Sequence, residues 1–503
     1  MALLSVDIGT TGTKAVLFAE TGVIIASSYQ EYTLVCPKLG WVELDPETIW
    51  AAFRKTVREI SDKHRKQIEN ICLSCMGNNI VPVRQDGTAI RNGILSFDTR
   101  NAQEVAIIRD AINELTYFQI RGSRPSFTCG LSKILWLKRN EPETFRQTWK
   151  FMTLADFIRT RMGFPGVTDY SMASISLPFD IRRKDFSETL LKEFGLSCQM
   201  FSEPLSSDAV LGEIGPEVRM ELGLPKGVKV VNGGHDIICG MLGAGITQGT
   251  SQVLADSNGT FENVAYVRAE PILTKQAFEA DLKSCCNLYN DTYIMLIGLP
   301  TSGLIVRWFR DELASEERRL AEKEKANVYD IMVAPLKFDG GTTMVVPYFS
   351  RSSVDSYARG AFIGLTLGTS RQQMLQSVVE GVTHEMKVLA DLMETLSETP
   401  IEVIRAFGGP TKSPKWLQLK ADISGKKVEA VQVEEASALG AAILAGVATG
   451  VYDSYEQAIK ATIKIKATYQ PRPEIHRIYK RQHEVYKQLV EVLKPVNKAL
   501  HNI

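Results

Sequence analysis

A chain of 503 residues exceeds what one hydrophobic core usually holds, so two large domains are expected. The residues are 44% apolar and 23% charged, an ordinary balance for a soluble globular protein, and the formal net charge of zero gives no global attraction for nucleic acid. The start lacks the basic flank and apolar run of a signal peptide, and the longest apolar stretches, Ile237 to Ile246 and Leu439 to Val451, are too short and glycine-rich to span a bilayer, so a cytoplasmic protein is expected.

In chain order, Leu3 to Val6, Lys14 to Phe18 and Val23 to Ser27 read as short strands. The first turn is a Gly/Thr stretch and the second is Glu20-Thr21-Gly22. Asp45 is a good N-cap and Pro46 a good first residue for a helix running to about Ser61. Ile71 to Ser74 is a strand, and "VPVRQDGTAIRNGILSF" reads as a hairpin turning at Asp86-Gly87. Ala102 to Met162 has mostly helical spacing. Val228 to Val231 is a strand entering Asn232-Gly233-Gly234-His235-Asp236, and the helix Ile237 to Gly245 follows. Gln252 to Asp256 and Phe261 to Val267 flank Ser257-Asn258-Gly259-Thr260, a second strand–Gly-Thr–strand unit near the midpoint that echoes the opening one. Beyond it come a helix from Gly303 to Leu313, a strand from Met344 to Pro347 and a long helix from Arg371 to Leu396. Val403 to Phe407 is a strand entering Gly408-Gly409, then a helix to Ile423, a last strand from Val428 to Val431, a small-residue helix from Ala436 to Thr449 and a helical tail after Pro471. This order implies α/β domains with buried sheets.

The eight cysteines read as buried thiols in a reducing compartment. Cys72-x-x-Cys75 has no second pair at ligand spacing, and Cys285-Cys286 suits neither a normal disulfide nor zinc. Three features stand at strand ends, where α/β sheets bind ligands. The opening loop offers backbone N–H groups, threonine hydroxyls and Lys14, a set that can cradle phosphate without a Walker A sequence; a bare hairpin turn is the alternative. Asp7 beside it would repel phosphate unless a cation lay between, which suggests Mg²⁺ held through water. Asp236 begins a helix, where an acid can be a cap or a reactive group. Gly259-Thr260 and Gly408-Gly409 add glycine turns after apolar strands, which suits one nucleotide gripped between two lobes.

These fragments together resemble the FGGY carbohydrate kinase family, within the sugar kinase/actin/heat-shock ATPase superfamily. "DIGTTGTKAVLF" resembles its first phosphate motif, "GGHDIICGMLGAG" the segment with its catalytic aspartate, and "DSNGTF" its second phosphate motif. "GLPTSGLIVRWFRD", "PYFS…ARGAFIGLTLGTSRQQMLQSVVEGV" and "FGGPTKSPKWLQLKADISGKKVEAVQVEEASALGAAILAG" resemble its second domain and adenosine motif. The resemblance implies an α/β fold of two actin-like (ribonuclease H-like) domains with a cleft between them, residues 1–246 and 247–503. It implies Asp236 as the base, Asp7 as the residue positioning Mg²⁺, and Thr10, Thr11, Gly12, Lys14, Gly259 and Thr260 on the ATP phosphates. Gly303, Gly408, Gly409 and Ser413 would line the adenosine pocket, where Pro410 departs from the usual glycine or alanine and removes a donor. The acceptor segment departs further: "SCMGNNIVPV" offers Met76, Gly77, Asn78 and Asn79, whose asparagine amides are expected to hydrogen-bond sugar hydroxyls, where many xylulose kinases carry Gln-Met-His-Gly and glycerol kinases Arg-Glu. Asp98 and Arg100 of "SFDTRN" are expected to support that pocket or a lobe contact.

The expected activity is ATP-dependent phosphorylation of a small ketose or polyol, a pentulose such as xylulose or ribulose by family analogy. An autoinducer-2-type or other polyol kinase stays open, as does a non-catalytic nucleotide-gated binding protein. A dehydrogenase is disfavoured because the dinucleotide fingerprint is missing. The expected partner is a small sugar or polyol, with no nucleic acid and no membrane; the resemblance allows a homodimer.

Overall fold

A computed structural model describes residues 2–259, 261–350, 355 and 357–502. Two mixed sheets dominate it, and their strand orders explain the echo in the sequence. The first has six strands. β1 (Ala2–Ile8), β2 (Gly12–Ala19) and β3 (Ile24–Glu31) form an antiparallel meander; β4 (Ile68–Cys75) and then β6 (Lys229–His235) add parallel to β1, and β5 (Val210–Glu213) closes the edge antiparallel to β6. The second has seven strands. β7 (Val253–Asn258), β8 (Glu262–Arg268) and β10 (Tyr293–Leu299) repeat the meander, β9 (Lys283–Cys286) extends it, β11 (Val403–Gly408) and β12 (Lys427–Val431) add in parallel, and β13 (Ile465–Tyr469) is the antiparallel edge. The same five-strand pattern thus occurs twice, as in actin-like domains.

Local chemistry accounts for the elements. Burial along β1 and β2 is nearly continuous, as expected of central strands covered on both faces, whereas β3 alternates because one side meets water. Asp45 caps the helix α1 (Pro46–His64) by accepting from Glu47 N and Thr48 N. Three expectations shift. Val428 to Val431 is not the last strand, since β13 follows and a Ser454-capped helix, Tyr455–Thr462, precedes it. The turn at Asp86-Gly87 forms, but the strand Val81–Val83 pairs with Lys150–Met152, and the expected hairpin is reduced to bridges at Val83–Ala89 and Ile80–Ile94. Cys36 and Cys198 are exposed, while the other six cysteines are buried; all eight are free thiols.

The lobes meet where α2 (Asp236–Gly243) crosses α6 (Ala436–Ala448). A Cβ on Gly440 would stand 1.8 Å from the Cys239 carbonyl oxygen, and one on Gly243 would stand 2.0 Å from that of Ala436. Only glycine permits this backbone-to-backbone approach. A hydrophobic cluster built from both sheets surrounds the crossing, with Leu3, Val16 and Val231 from the first and Ala255, Phe407 and Val431 from the second. Among the described residues, no helix is long and apolar enough to cross a membrane.

Gly440→Val should therefore destabilise the protein by about 3 kcal/mol through overpacking against rigid backbone. Thermal unfolding checks this, with the exposed Gly249→Ala as the control, since a Cβ there would meet only Thr247 Oγ1 at 3.7 Å.

Candidate active site between the lobes

The parallel strands of the first sheet end side by side. Ile8 is in register with Cys75, and Cys75 with His235. The segments that follow these ends, Gly9 to Thr11, Met76 to Asn79 and Asp236 onward, therefore gather at one edge. Asp7 lies one residue before the end of β1, where its Oδ1 accepts from Ser74 Oγ at 2.7 Å. Burial pushes its carboxyl up to about 7 and the nearby Asp236 charge adds to this, with Ser74 and Lys14 acting in the opposite direction.

Asp236 is the first residue inside α2, and His235, not Asp236, is the N-cap. This corrects the cap alternative. Asp236 Oδ1 accepts from Ile237 N at 2.7 Å and lies 2.9 Å from His235 Nδ1, a contact that a proton on Nδ1 turns into a hydrogen bond. Its side chain is about a third exposed (32%), and no hydrogen bond among the described residues engages Oδ2. A buried relay fixes the backbone here. Arg159 bonds to Asp156 and to the Asn232 carbonyl and lies 3.6 Å from Asp169; Asp169 accepts from Ser171 and Ser207; and Ser171 Oγ receives His235 N at 3.0 Å.

The other residues named from the sequence fall into three groups. Thr10, Thr11 and Gly12 form the β1–β2 turn, which is pinned by Tyr32 OH donating to the Gly9 carbonyl and Tyr29 OH to the Thr11 carbonyl. Lys14 is in register with Asp7 but spans to the other lobe and pairs with Glu435, which directly precedes α6. In the acceptor segment, Met76 is buried beside the Thr10 hydroxyl, and Gly77 lies against the His235 ring, where a Cβ would come within 2.3 Å. Asn78 has φ 58°, and its side-chain amide lies 3.3 and 3.1 Å from the Thr128 and Ile175 carbonyls, two acceptors that assign the amide nitrogen to that side. Asn79 is buried and joins the Met76 carbonyl to Leu154 N. These two amides are therefore committed to backbone, and Asp98 is similarly occupied: it is buried and accepts from Val42 N and from Arg100. Arg100 in turn stacks 3.7 Å from the Trp41 ring centroid.

The second sheet repeats the arrangement. β7 and β11 end in register at Asn258 and Gly408. Gly408 has φ 101°, and a Cβ there would meet the Asn258 carbonyl at 2.2 Å. Gly303 N donates to the Gly259 carbonyl at 3.1 Å, at the start of α3 (Ser302–Leu313). Gly259, Gly303 and Gly408 thus come together, and a Cβ on Gly409 would have no atom within 4 Å. Ser413 Oγ caps α5 (Pro414–Ser424) by accepting from Trp416 N. Thr260 lies outside the described residues.

Glu435 and Ser74 were missed in the sequence. Two acids before a small-residue helix read as helix-terminus charges, and nothing local marks a lysine 421 residues away as the partner. The donor set suits a magnesium nucleotide. Asp7, whose proton affinity is raised by burial and by the neighbouring Asp236 charge, fits a dication beside phosphate. Among the described residues, no set of three or more His, Cys, Asp or Glu side chains gathers to hold a metal.

Residues 2–243 match the FGGY family of carbohydrate kinases, N-terminal domain, and residues 254–449 match the C-terminal domain of that family. This chain belongs to the FGGY family of carbohydrate kinases. The kinase is 27% identical to a xylulose kinase of Bacillus subtilis (strain 168), over 99% of this chain and 98% of that protein. It is 26% identical to a gluconokinase of the same organism, over 94% of this chain and 91% of that protein. A solved xylulose kinase from Rhodospirillum rubrum superposes with a TM-score of 0.89 at 23% identity, covering 99% of this chain and 100% of that one; this likeness shows the fold. The protein is an ATP-dependent sugar kinase.

In the folded kinase Asp7 keeps its proton to about pH 7 instead of 3.8, so the folded state binds that proton more tightly than the unfolded chain. Stability is therefore lost as pH rises through this window, and Asp7→Asn removes the loss. In protein free of nucleotide and magnesium, the Tm advantage of Asp7→Asn should grow from about pH 4 to 7 and level off above, which a set of thermal melts would read.

Proposed function

We propose that this kinase transfers the γ-phosphate of ATP to a hydroxyl of a small neutral ketose, a pentulose such as xylulose or ribulose, in the cleft between its lobes. The observation that carries this reading is the state of Asp236: Oδ1 is anchored by Ile237 N, Oδ2 is open, and the group stands at the lobe crossing beside Asp7.

Asp236 Oδ2 would accept the proton of the sugar hydroxyl as that oxygen bonds to the γ-phosphorus and the bond to ADP breaks. Anchoring Oδ1 aims the other oxygen and removes the rotational freedom that would otherwise be lost in the transition state. The β1–β2 turn, with Thr10, Thr11 and Gly12, and the second turn at Gly259 and Thr260 are assigned to the phosphates from opposite lobes. Gly303, Gly408 and Gly409 are assigned to the adenosine, the open space at Gly409 leaving room for it. Ser413 supports that loop as the cap of α5. Asp7 would hold the Mg²⁺ through water, and that ion would offset charge developing on the phosphoryl oxygens.

Lys14 and Glu435 are each roughly 30% exposed (32% and 27%), and an ion pair of that kind is worth about 0–1 kcal/mol. Lys14 can therefore leave Glu435 for a phosphate oxygen at little cost. In the acceptor pocket, Met76, Gly77 and Asn78 supply shape more than donors, and Asp98 acts through Arg100 and Val42 N. The neighbouring cations are committed elsewhere, Lys14 to Glu435 or the assigned phosphates and Arg100 to Asp98 and Glu43. A neutral ketose fits these surroundings better than a sugar acid. The similarity to gluconokinases makes gluconate the second acceptor to test. We place the protein in the cytoplasm, where ATP and magnesium are supplied.

A panel of xylulose, ribulose, gluconate, polyols and an autoinducer-2-like compound, read by ADP release, tests the substrate; turnover confined to gluconate would overturn the ketose assignment. Asp236→Ala should lower kcat by about 10²–10⁴-fold while ADP binding by calorimetry stays within a few-fold. Parental turnover in that variant would remove Asp236 from the mechanism.

A further inference from the structure

Behind the second glycine turn lies a cluster that the mechanism above does not use. Lys420 on α5 is 1% exposed, and Asp256 on β7 and Glu262 on β8 are fully buried. Lys420 Nζ bonds to Asp256 Oδ2 and, at 2.6 Å, to Glu262 Oε1. The second oxygen of each acid has no partner. One ammonium thus faces two carboxyls away from water, and a wholly ionised cluster would carry an uncompensated negative charge. Burial pushes Glu262 above the usual carboxylate range, with Lys420 opposing the rise and Asp256 adding to it. A proton on Glu262 removes the imbalance.

The positions give the cluster its consequence. Asn258 is in register with Glu262, and Asp256 stands two residues before Asn258, so all three side chains share one face of the hairpin whose tip holds Gly259. Asn258 Oδ1 on that face accepts from Ser302 Oγ, next to Gly303. Lys420 lies seven residues beyond Ser413, two turns along the helix that begins under the Gly408-Gly409 loop. The ion pairs therefore brace the element carrying the adenosine loop directly against the hairpin carrying the second phosphate turn.

We infer that Lys420, Asp256 and Glu262 form a buried brace that sets the spacing between the Gly259 turn and the Gly408-Gly409 loop, and so act as positioning residues for nucleotide binding. The inference rests on assigning these loops to ATP. Apolar side chains of similar volume could fill the same space, but an ammonium between two carboxyls fixes the approach of helix and hairpin through directional bonds.

The test compares Lys420→Met, Lys420→Arg, Asp256→Asn and Glu262→Gln with the parent by calorimetry of ADP in magnesium, together with the KM for the best acceptor of the sugar panel. Lys420→Met and Asp256→Asn should weaken ADP by about tenfold while the acceptor KM stays within twofold. Lys420→Arg should recover part of the loss, and Glu262→Gln, isosteric with the protonated acid, should bind as the parent does. If Lys420→Met does not fold, Asp256→Asn carries the comparison alone. Folded Lys420→Met or Asp256→Asn with parental ADP affinity would overturn the inference, as would equal losses for ADP and acceptor, which denote general destabilisation. Gly408→Ala separates the two levels. If it weakens ADP and the brace variants do not, the brace is wrong; if ADP binding is indifferent to it as well, the assignment of these loops to the nucleotide has failed.

Discussion

The close crossing of α2 and α6 is the constraint on which the rest depends. Two backbones approach to a separation that no Cβ would tolerate, at Gly440 over the Cys239 carbonyl and Gly243 over that of Ala436. The contact leaves little tolerance in lateral position, because interiors at this density do not deform gradually. Asp236 is the first residue of one helix, and Glu435 immediately precedes the other. Ser437 Oγ donates to the Asp236 carbonyl at 3.0 Å, which adds a polar tie at the same place. The crossing therefore fixes how far the open carboxylate oxygen stands from the opposite lobe.

Charge is distributed with the same economy. The buried ionic groups mostly hold backbone. Arg159, with Asp156 and Asp169, secures the strand that delivers His235, while Asp98 and Arg100 secure the loop after Trp41. Removing one partner from such a network leaves a buried charge unpaired, a large penalty, so these networks act mainly as fixed geometry. The half-buried pair Lys14–Glu435 differs because water reaches it and can take over either partner. Asp7 is the acid placed against its preference, raised toward neutrality by burial and by Asp236. Sites that bind a cation commonly carry such strain in their resting charge distribution.

Much of the fold was legible along the chain. The strand–Gly-Thr–strand units that begin at Ile8 and Asn258 are local signals, and both begin at the ends of interior strands as expected. The helix cap at Asp45 follows from residue type. Edge elements were harder to see. β13 is a short edge strand of alternating character with no fully buried residue, and Val81–Val83 found its partner at Lys150–Met152, beyond the span of a hairpin signal. The acceptor segment was misleading in one respect. Asn78 and Asn79 looked like free donors, yet both amides serve the surrounding carbonyls and N–H groups. Sequence gives hydrogen-bonding capacity, and only the fold decides where it is used.

The sequence by itself determined two sheet lobes, glycine turns at the ends of their central strands and an acid at the start of the helix after Gly233-Gly234-His235. These follow from periodicity, turn chemistry and backbone freedom, which act over a few residues. Tertiary structure alone decided that Lys14 meets Glu435, that Lys420 lies between Asp256 and Glu262, and that Asp236 keeps one oxygen open while Asp98 keeps none. Those outcomes depend on which distant surfaces are brought within a few ångströms, and the energy of a charge is set by its surroundings more than by its place in the chain.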